Sequence, residues 1–357
     1  MADKGAGRRT AKRGGAKQDD FSKRKPTIND VARLAEVSKK TVSRVINNSP
    51  AVKPATREAV QKVIADIGYS PDPQARGLVF RHAFLVGLIY DNPNPQYVVN
   101  MQQGILDGLR GSGHELVVHP CVRGSPSFLD DMRVFVERQK LYGVVLTPSV
   151  SEDAKAASLL DEIGCKYVRI ASVPLADDEH MIVTHDRVGT AAAAEHLAEL
   201  GHKRIALITG QRSFRSAAER RKGFEQGLAK YKLKLQPKYV ARGAYTFESG
   251  RECAQALIAL DPRPTAIFAS NDEMAAGALQ AVRMAGLRTP EDISIVGYDD
   301  FEIASRVWPR LTTVHTPTRH FGRLAALKLL RGLDVSEESG ELRPTLVVRE
   351  SSGPPAG

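Results

Sequence analysis

Apolar and polar residues follow three different rhythms along this chain. Residues 1–25 show none, being Gly and Ala mixed with Lys and Arg. Residues 26–68 carry three short helical patterns. The first starts at Thr27-Ile28-Asn29-Asp30, a capping-box arrangement with Asp in the place usual for Glu, and turns Ile28, Val31, Ala32 and Ala35 inward. After a brief turn at Glu36-Val37, Ser38 is a plausible N-cap for a second helix with Val42, Val45 and Ile46 on one side. A third starts near Pro54, places Val60, Val63, Ile64 and Ile67 on one stripe, and stops at Gly68. Two helices across a short turn, with a third completing a small core, is the helix-turn-helix plan.

From Ala83 the rhythm changes to strand–helix alternation. Strands are expected at 84–89, 115–119, 143–147, 166–170, 204–209, 265–270 and 293–298. Helices are expected around 98–111, 127–139, 152–163, 188–200, 216–231, 248–260 and 272–285. This order implies right-handed crossovers, parallel sheets and two α/β lobes, with any ligand beyond the carboxyl ends of the strands. The polar or Gly/Pro-rich stretches 336–340 and 353–357 read as loose. The fold class is therefore α plus α/β: a helix-turn-helix headpiece and a two-lobed, Rossmann-like core. The expected divisions are a disordered basic arm (1–25), the headpiece (26–71), a hinge or linker (72–82), a ligand-binding and dimerisation domain (83–350) and a disordered tail (351–357).

Charge sharpens that picture. The net charge is +10, of which residues 1–25 supply +6 and residues 26–80 a further +3, leaving the rest nearly neutral. Such asymmetry points to nucleic acid at the N-terminal end. The basic arm adds either phosphate attraction or plain solubility. The longest apolar runs fall far below the ~18 residues of a membrane span, and the opening residues lack the apolar core of a secretory signal. Three widely spaced cysteines, Cys121, Cys165 and Cys253, fit free thiols in a reducing compartment. Neither His185-Asp186 nor His119-x-Cys121 has a third and fourth partner for a metal, and neither a nucleophile elbow nor a phosphate-binding glycine loop is present. No metal, cofactor or enzymatic activity is expected.

The candidate chemistry lies in two places. On the second helix, Lys39, Lys40, Ser43 and Arg44 project from the side opposite the core, where Lys and Arg can reach guanine and hydroxyls can meet phosphates or base edges. In the core, Asp272 can accept paired hydroxyl hydrogen bonds, Arg220 can donate a fork of them, and Asn271 can do both. Tyr97 and Tyr245 can stack on a flat apolar face and offer a hydroxyl tip.

Residues 27–80 resemble the DNA-binding headpiece of the lactose-repressor (LacI) family of bacterial regulators. The likeness rests on Asp30-Val31-Ala32, Val37-Ser38, Thr41-Val42-Ser43-Arg44-Val45, Thr56-Arg57, Gly68-Tyr69-Ser70-Pro71 and Ala75-Arg76-Gly77-Leu78. It continues through Gly201-His202-Lys203-Arg204, Ser270-Asn271-Asp272 and Val296-Gly297-Tyr298-Asp299-Asp300, giving a body similar to periplasmic sugar-binding proteins with the effector between two lobes.

The resemblance implies a homodimer on near-palindromic double-stranded operator DNA, more a repressor than an activator, responding to a sugar or sugar derivative in the bacterial cytoplasm at the nucleoid. It implies DNA contacts at Thr27, Ser38, Lys39, Lys40, Thr41, Ser43, Arg44, Asn47, Arg76 and Leu78, with Lys39 and Lys40 choosing operator sequence. Leu78 would wedge into the minor groove from a hinge helix at 73–79. It implies effector contacts at Tyr97, Ser172, Arg220, Tyr245, Asn271 and Asp272, with His185 and Asp186 nearby, and puts Asp299-Asp300 in a strand-end turn. Glu36 departs from the pattern, standing where the family commonly has Gly. Induction is the expected mode and co-repression the reserve. A transporter's solute receptor and a sugar-active enzyme are the rival functions. Arg212, Arg215, Arg220 and Arg221 lie close enough in sequence to include a phosphate contact, so the effector's charge is left open.

Overall fold

The computed structural model describes residues 24–46, 49, 51–69, 84–175, 180–332 and 342–356. The chain divides into two compact units, Met1–Val79 and Phe80–Gly357.

In the first unit α1 (Ile28–Leu34), α2 (Lys39–Ile46) and α3 (Pro54–Asp66) close on a core of Val31, Val42, Val45 and Val60, flanked by Ile28, Ile46, Val63 and Ile64. These are the positions the helical stripes predict. Asp30 ties down the start of α1: its Oδ2 accepts from the Thr27 N–H (2.9 Å) and hydroxyl (2.7 Å), and Arg24 grips both oxygens at 2.7 Å. Ser38 Oγ accepts from the Thr41 N–H at 3.0 Å, capping α2. Between the helices Glu36 adopts φ +53°, the left-handed backbone that favours Gly. The departure at Glu36 is absorbed as local strain and the turn keeps its place.

The second unit holds two parallel sheets. In the first lobe β1 (Leu85–Tyr90), β2 (Glu115–Pro120), β3 (Gly143–Leu146), β4 (Lys166–Ala171) and β5 (Met181–Val183) lie in the order β2-β1-β3-β4-β5. In the second, β6 (Ile205–Thr209), β7 (Val240–Arg242), β8 (Ala266–Ala269) and β9 (Ser294–Val296) lie in the order β7-β6-β8-β9. Helices α4 (Pro95–Leu109), α5 (Phe128–Gln139) and α6 (Ala154–Glu162) connect the first sheet. The second lobe carries α7 (Asp186–Glu199), α8 (Arg215–Lys230), α9 (Phe247–Ile258) and α10 (Asp272–Met284). Side chains alternate across each sheet: Val86 and Leu88 of β1 face one core, Ile89 the other.

The chain then crosses back. After α11 (Glu302–Arg306) and β10 (Thr313–His315), α12 (Thr318–Arg331) packs on the first lobe, and β11 (Thr345–Val347) returns to pair antiparallel with β10. Backbone contact between α12 and α4 depends on glycine: a Cβ on Gly104 would sit 1.9 Å from Arg319 O, and one on Gly322 2.5 Å from Met101 O.

Four strands (β5, β7, β10, β11) and two helices (α11, α12) were not expected. The strands span three residues each, too few to show a period of two. The tail is also corrected. Ser351 Oγ accepts from the Thr312 N–H (2.8 Å), and the Gly353 N–H donates to Ser294 Oγ (3.0 Å). A Gly/Pro-rich stretch stays fixed when its backbone groups have such partners. The arm 1–23, the hinge 73–79 and the stretch 336–340 lie outside the described residues.

Candidate functional site

The headpiece presents Thr27, Ser38, Lys39, Lys40 and Arg44 to solvent, with Thr41 and Ser43 half-buried. One face of α2 is thus basic and hydroxylic while Val42 and Val45 anchor the other. Asn47, Arg76 and Leu78 lie outside the described residues.

The cleft of the second unit follows from strand order. In each sheet neighbouring strands connect to opposite sides, β1/β3 in the first lobe and β6/β8 in the second, leaving a crevice at their carboxyl ends. Asn92 and Asn94 follow β1 and Pro148 follows β3; Phe214 and Ser216 follow β6 and Asn271 follows β8. All six line one cavity.

Arg220 is the cavity's electrostatic centre. Its Nε donates to Asp186 Oδ1 at 2.7 Å, its Nη1 donates to Ser270 O, its Nη2 lies 3.6 Å from Asp299 Oδ1, and its guanidinium covers the Tyr298 ring at 3.8 Å. Asp186 also accepts from Tyr298 Oη (3.2 Å) and from Thr184. Both of its oxygens are therefore engaged, and it orients Arg220. Asp299 differs. It is 7% exposed, at φ +111°, and its carboxylate accepts no hydrogen bond from any described residue. Burial pushes its carboxyl up to about 7, against the opposing pull of Arg220.

Four further polar groups of the lining are buried without a hydrogen-bond partner among the described residues: Asn94 Nδ2, Thr316 Oγ1 and the Tyr97 and Tyr245 hydroxyls. Asn94 Oδ1 is engaged, accepting from the Gln96 and Tyr97 N–H groups at the start of α4. Tyr97 is held protonated far above the ordinary phenol range by burial and by Asp186 and Asp299. Tyr245 sits at φ +65° in a T-shaped contact with Phe214 (centroids 5.6 Å apart), and its ring covers Gly210, where a Cβ would come within 2.0 Å of it. Positive φ at Tyr245 and Asp299, both lining the cavity, is strain of the kind that clusters at ligand sites.

Of the expected effector residues, Tyr97, Arg220, Tyr245 and Asn271 line this cavity, as does Asp186. Asn271 also holds the site: its Nδ2 donates to Tyr245 O (3.0 Å) and its Oδ1 caps α10. Asp272 and Ser172 are not among the lining residues. Asp272 is fully buried, accepting from the Phe301 N–H (2.8 Å) and the Thr313 hydroxyl (2.6 Å), which brace the crossover into β10. Ser172 directs its N–H (2.9 Å) and hydroxyl to Glu152. His185 is outside the lining. Asn92, Asn94, Phe214, Asp299, Thr316 and Phe321 were missed. Asn92, Asn94 and Phe214 carried a readable signal, since they lie in the loops that leave the carboxyl ends of β1 and β6.

Arg212 and Arg215 are exposed and outside the cavity, and Arg221 pairs with Glu225 at 2.8 Å. Among the described residues no group of three or more His, Cys, Asp or Glu could hold a metal, and no helix is long and apolar enough to cross a membrane.

Comparison with known proteins bears on both units. Residues 27–72 match the model for bacterial regulatory proteins of the lacI family, and residues 194–352 match the periplasmic binding protein-like domain. The transcriptional regulator CelR of Thermobifida fusca is 35% identical over 347 residues, covering 92% of this chain and 99% of CelR. The chain belongs to the lacI family.

This LacI-family member is a transcriptional regulator, not an enzyme. Its fold agrees with a solved complex of CelR with cellobiose (31% identity, TM-score 0.67), which spans 92% of this chain and all of that one. It agrees also with the lac repressor dimer bound to operator and the anti-inducer ONPF (28% identity, TM-score 0.73, the same coverage).

Proposed function

We propose that this LacI-family regulator is a cytoplasmic, nucleoid-associated homodimeric repressor whose grip on a near-palindromic operator is released by a small carbohydrate-like effector. The observation that carries the effector half is a set of buried polar groups without a hydrogen-bond partner in one cleft, Asn94 Nδ2 and the Tyr97 hydroxyl among them, beside the Asp299 carboxylate, which is ion-paired with Arg220 at 3.6 Å but accepts no hydrogen bond from any described residue. Buried polar groups cost stability unless satisfied, so their convergence calls for a ligand with matching hydroxyls. Phe214 and Tyr245 supply an apolar wall for a ring face. Asp299 takes the acceptor role first given to Asp272, while Arg220, Asn271, Tyr97 and Tyr245 keep theirs.

The DNA half rests on the basic, hydroxylic face of α2. Lys39 and Lys40 read base edges; Thr27, Ser38, Thr41, Ser43, Arg44 and Asn47 meet phosphates or bases; Arg76 and the Leu78 wedge act from the hinge. The division into headpiece (26–71), hinge (72–82) and effector domain (83–350) belongs to the same reading. The effector stabilises closed lobes that separate the paired hinges, and by linkage operator DNA weakens effector binding by the same factor.

A thermal-shift series on the full chain with neutral mono- and disaccharides tests the effector half. A ligand at 100 times its Kd adds about 2.7 kcal/mol, which a melt resolves. One sugar should raise Tm with dose; no rise across the series would refute a carbohydrate effector.

A further inference from the structure

We infer that the effector of this cleft is an uncharged, hydroxyl-bearing molecule, and that phosphorylated or acidic counterparts are rejected. This rests on the cleft being the effector site.

The first ground is charge. Among the lining residues two carboxylates, Asp186 and Asp299, face one cation, Arg220. That cation is committed at close range, to Asp186 at 2.7 Å, to Ser270 O and toward Asp299 at 3.6 Å. The basic neighbours that could have cradled a phosphate do not reach: Arg212 and Arg215 are exposed, and Arg187 and Arg221 pair with Glu219 and Glu225. Of the helix N-termini facing the cleft, that of α7 holds Asp186, that of α10 is capped by Asn271 Oδ1, which accepts the Met274 N–H, and two first-turn N–H groups of α4 already donate to Asn94 Oδ1. The remaining one, α8, has no acidic first turn and supplies only a partial charge.

The second ground is the kind of hydrogen bond on offer. Asp299 needs a donor. Asn94 Nδ2 needs an acceptor, and the Tyr97 hydroxyl can serve as either. A sugar hydroxyl donates and accepts at once, so a polyol satisfies all three groups. A phosphate or carboxylate only accepts, and it would bring a like charge to Asp299 in a space from which water is largely removed. The burial that pushes Asp299 up to about 7 reflects how poorly this space holds negative charge.

The test is a matched panel by calorimetry and thermal shift on the full chain at pH 7.5. Glucose, galactose, cellobiose, maltose and trehalose are each compared with a 6-phosphate and an acid counterpart (an aldonate or a uronate). The expected result is binding by a neutral member, with its anionic counterparts weaker by roughly 100-fold or more. An anionic member that binds as tightly as its neutral parent overturns the inference while leaving the carbohydrate reading intact. Absence of binding by every member overturns both. For the sugar that binds, Asp299→Asn should reduce its affinity and narrow the gap to its phosphate to about 10-fold or less. An unchanged gap in a variant of normal Tm would show that another group sets the selectivity.

Discussion

Asp186 Oδ1 lies 2.7 Å from Arg220 Nε, joining the first turn of α7 to the second turn of α8 beneath the cleft. Both side chains are nearly buried, 3% and 12% exposed, and Tyr298 lies against both partners, donating to the acid and stacking under the guanidinium. Asp186→Ala leaves a buried cation without its closest counter-charge. The expected loss is about 3–5 kcal/mol of unfolding free energy, read by urea denaturation. A loss under about 1 kcal/mol would mean that Arg220 moves to solvent and is not held as described.

The Tyr97 hydroxyl predicts the opposite behaviour. Removing a buried hydroxyl that has no partner should leave the unliganded protein as stable, or more stable by up to about 1 kcal/mol. Ligand affinity should fall by about 0.5–1.5 kcal/mol, the worth of one hydrogen bond. Tyr97→Phe measured by denaturation and calorimetry separates the two effects. A clear loss of stability without ligand would show that the hydroxyl is already bonded.

Asp299 sets a pH dependence with a definite sign. Its folded value of about 7 lies above the ordinary carboxylate range near 4, so the folded state holds the proton more tightly than the unfolded chain. The stability this group contributes is greatest below about pH 4, falls as pH rises toward 7, and is constant above. A ligand hydroxyl that donates to the carboxylate favours the ionised form. Ligand affinity should therefore rise from pH 6 to pH 8 and then level off. Asp186, Arg220, Tyr97, Tyr245 and Tyr298 also face this group, and the Tyr phenols are held protonated throughout that interval. Calorimetry across those pH values, compared with Asp299→Asn, checks it; a flat profile would contradict the donor geometry.

On the headpiece, Ser38 and its lysine neighbours should separate cleanly. Ser38→Ala removes the α2 cap and should destabilise the headpiece by about 1 kcal/mol. Lys39→Ala and Lys40→Ala should leave stability within about 0.5 kcal/mol and alter base preference at half-site positions. Binding to a randomised duplex pool distinguishes them. A uniform loss across all sequences would make the lysines phosphate contacts only.

Apart from α12, the elements long enough to show a period were read from the sequence, and so was the helix-turn-helix core down to Val42 and Val45. Strand ends also foretold the cleft, because Asn94 and Phe214 follow parallel strands. The two acids, Asp272 and Asp299, were not separable that way. Both stand just past a strand of the second lobe, and periodicity carries no information on which one turns inward. Packing decides it: a Cβ at Gly297 would lie 2.3 Å from Asp272 Oδ1, so the glycine leaves room for Asp272 to reach under the sheet toward Phe301 and Thr313. Asp299, two residues beyond that glycine, is left facing the cavity by its left-handed backbone. Ser172 was lost for a similar reason, since Glu152 arrives from a distant loop to claim it. The α12 stripe of Phe321, Leu324, Ala325 and Leu329 was present in the sequence and readable, but its return to the first lobe depended on glycine contacts with α4 that no local pattern encodes.

The central claim is that a ligand in the cleft and an operator on the headpiece oppose each other. Fluorescence anisotropy of the full-length chain tests it most directly, using a near-palindromic duplex selected from a random pool, with and without the sugar that raises Tm. The account predicts that saturating sugar weakens operator binding at least fivefold, the low end of ordinary allosteric coupling. It also predicts that saturating operator weakens sugar binding by the same factor. Tighter operator binding would replace release by co-repression, and an operator affinity unchanged by bound sugar would contradict the account.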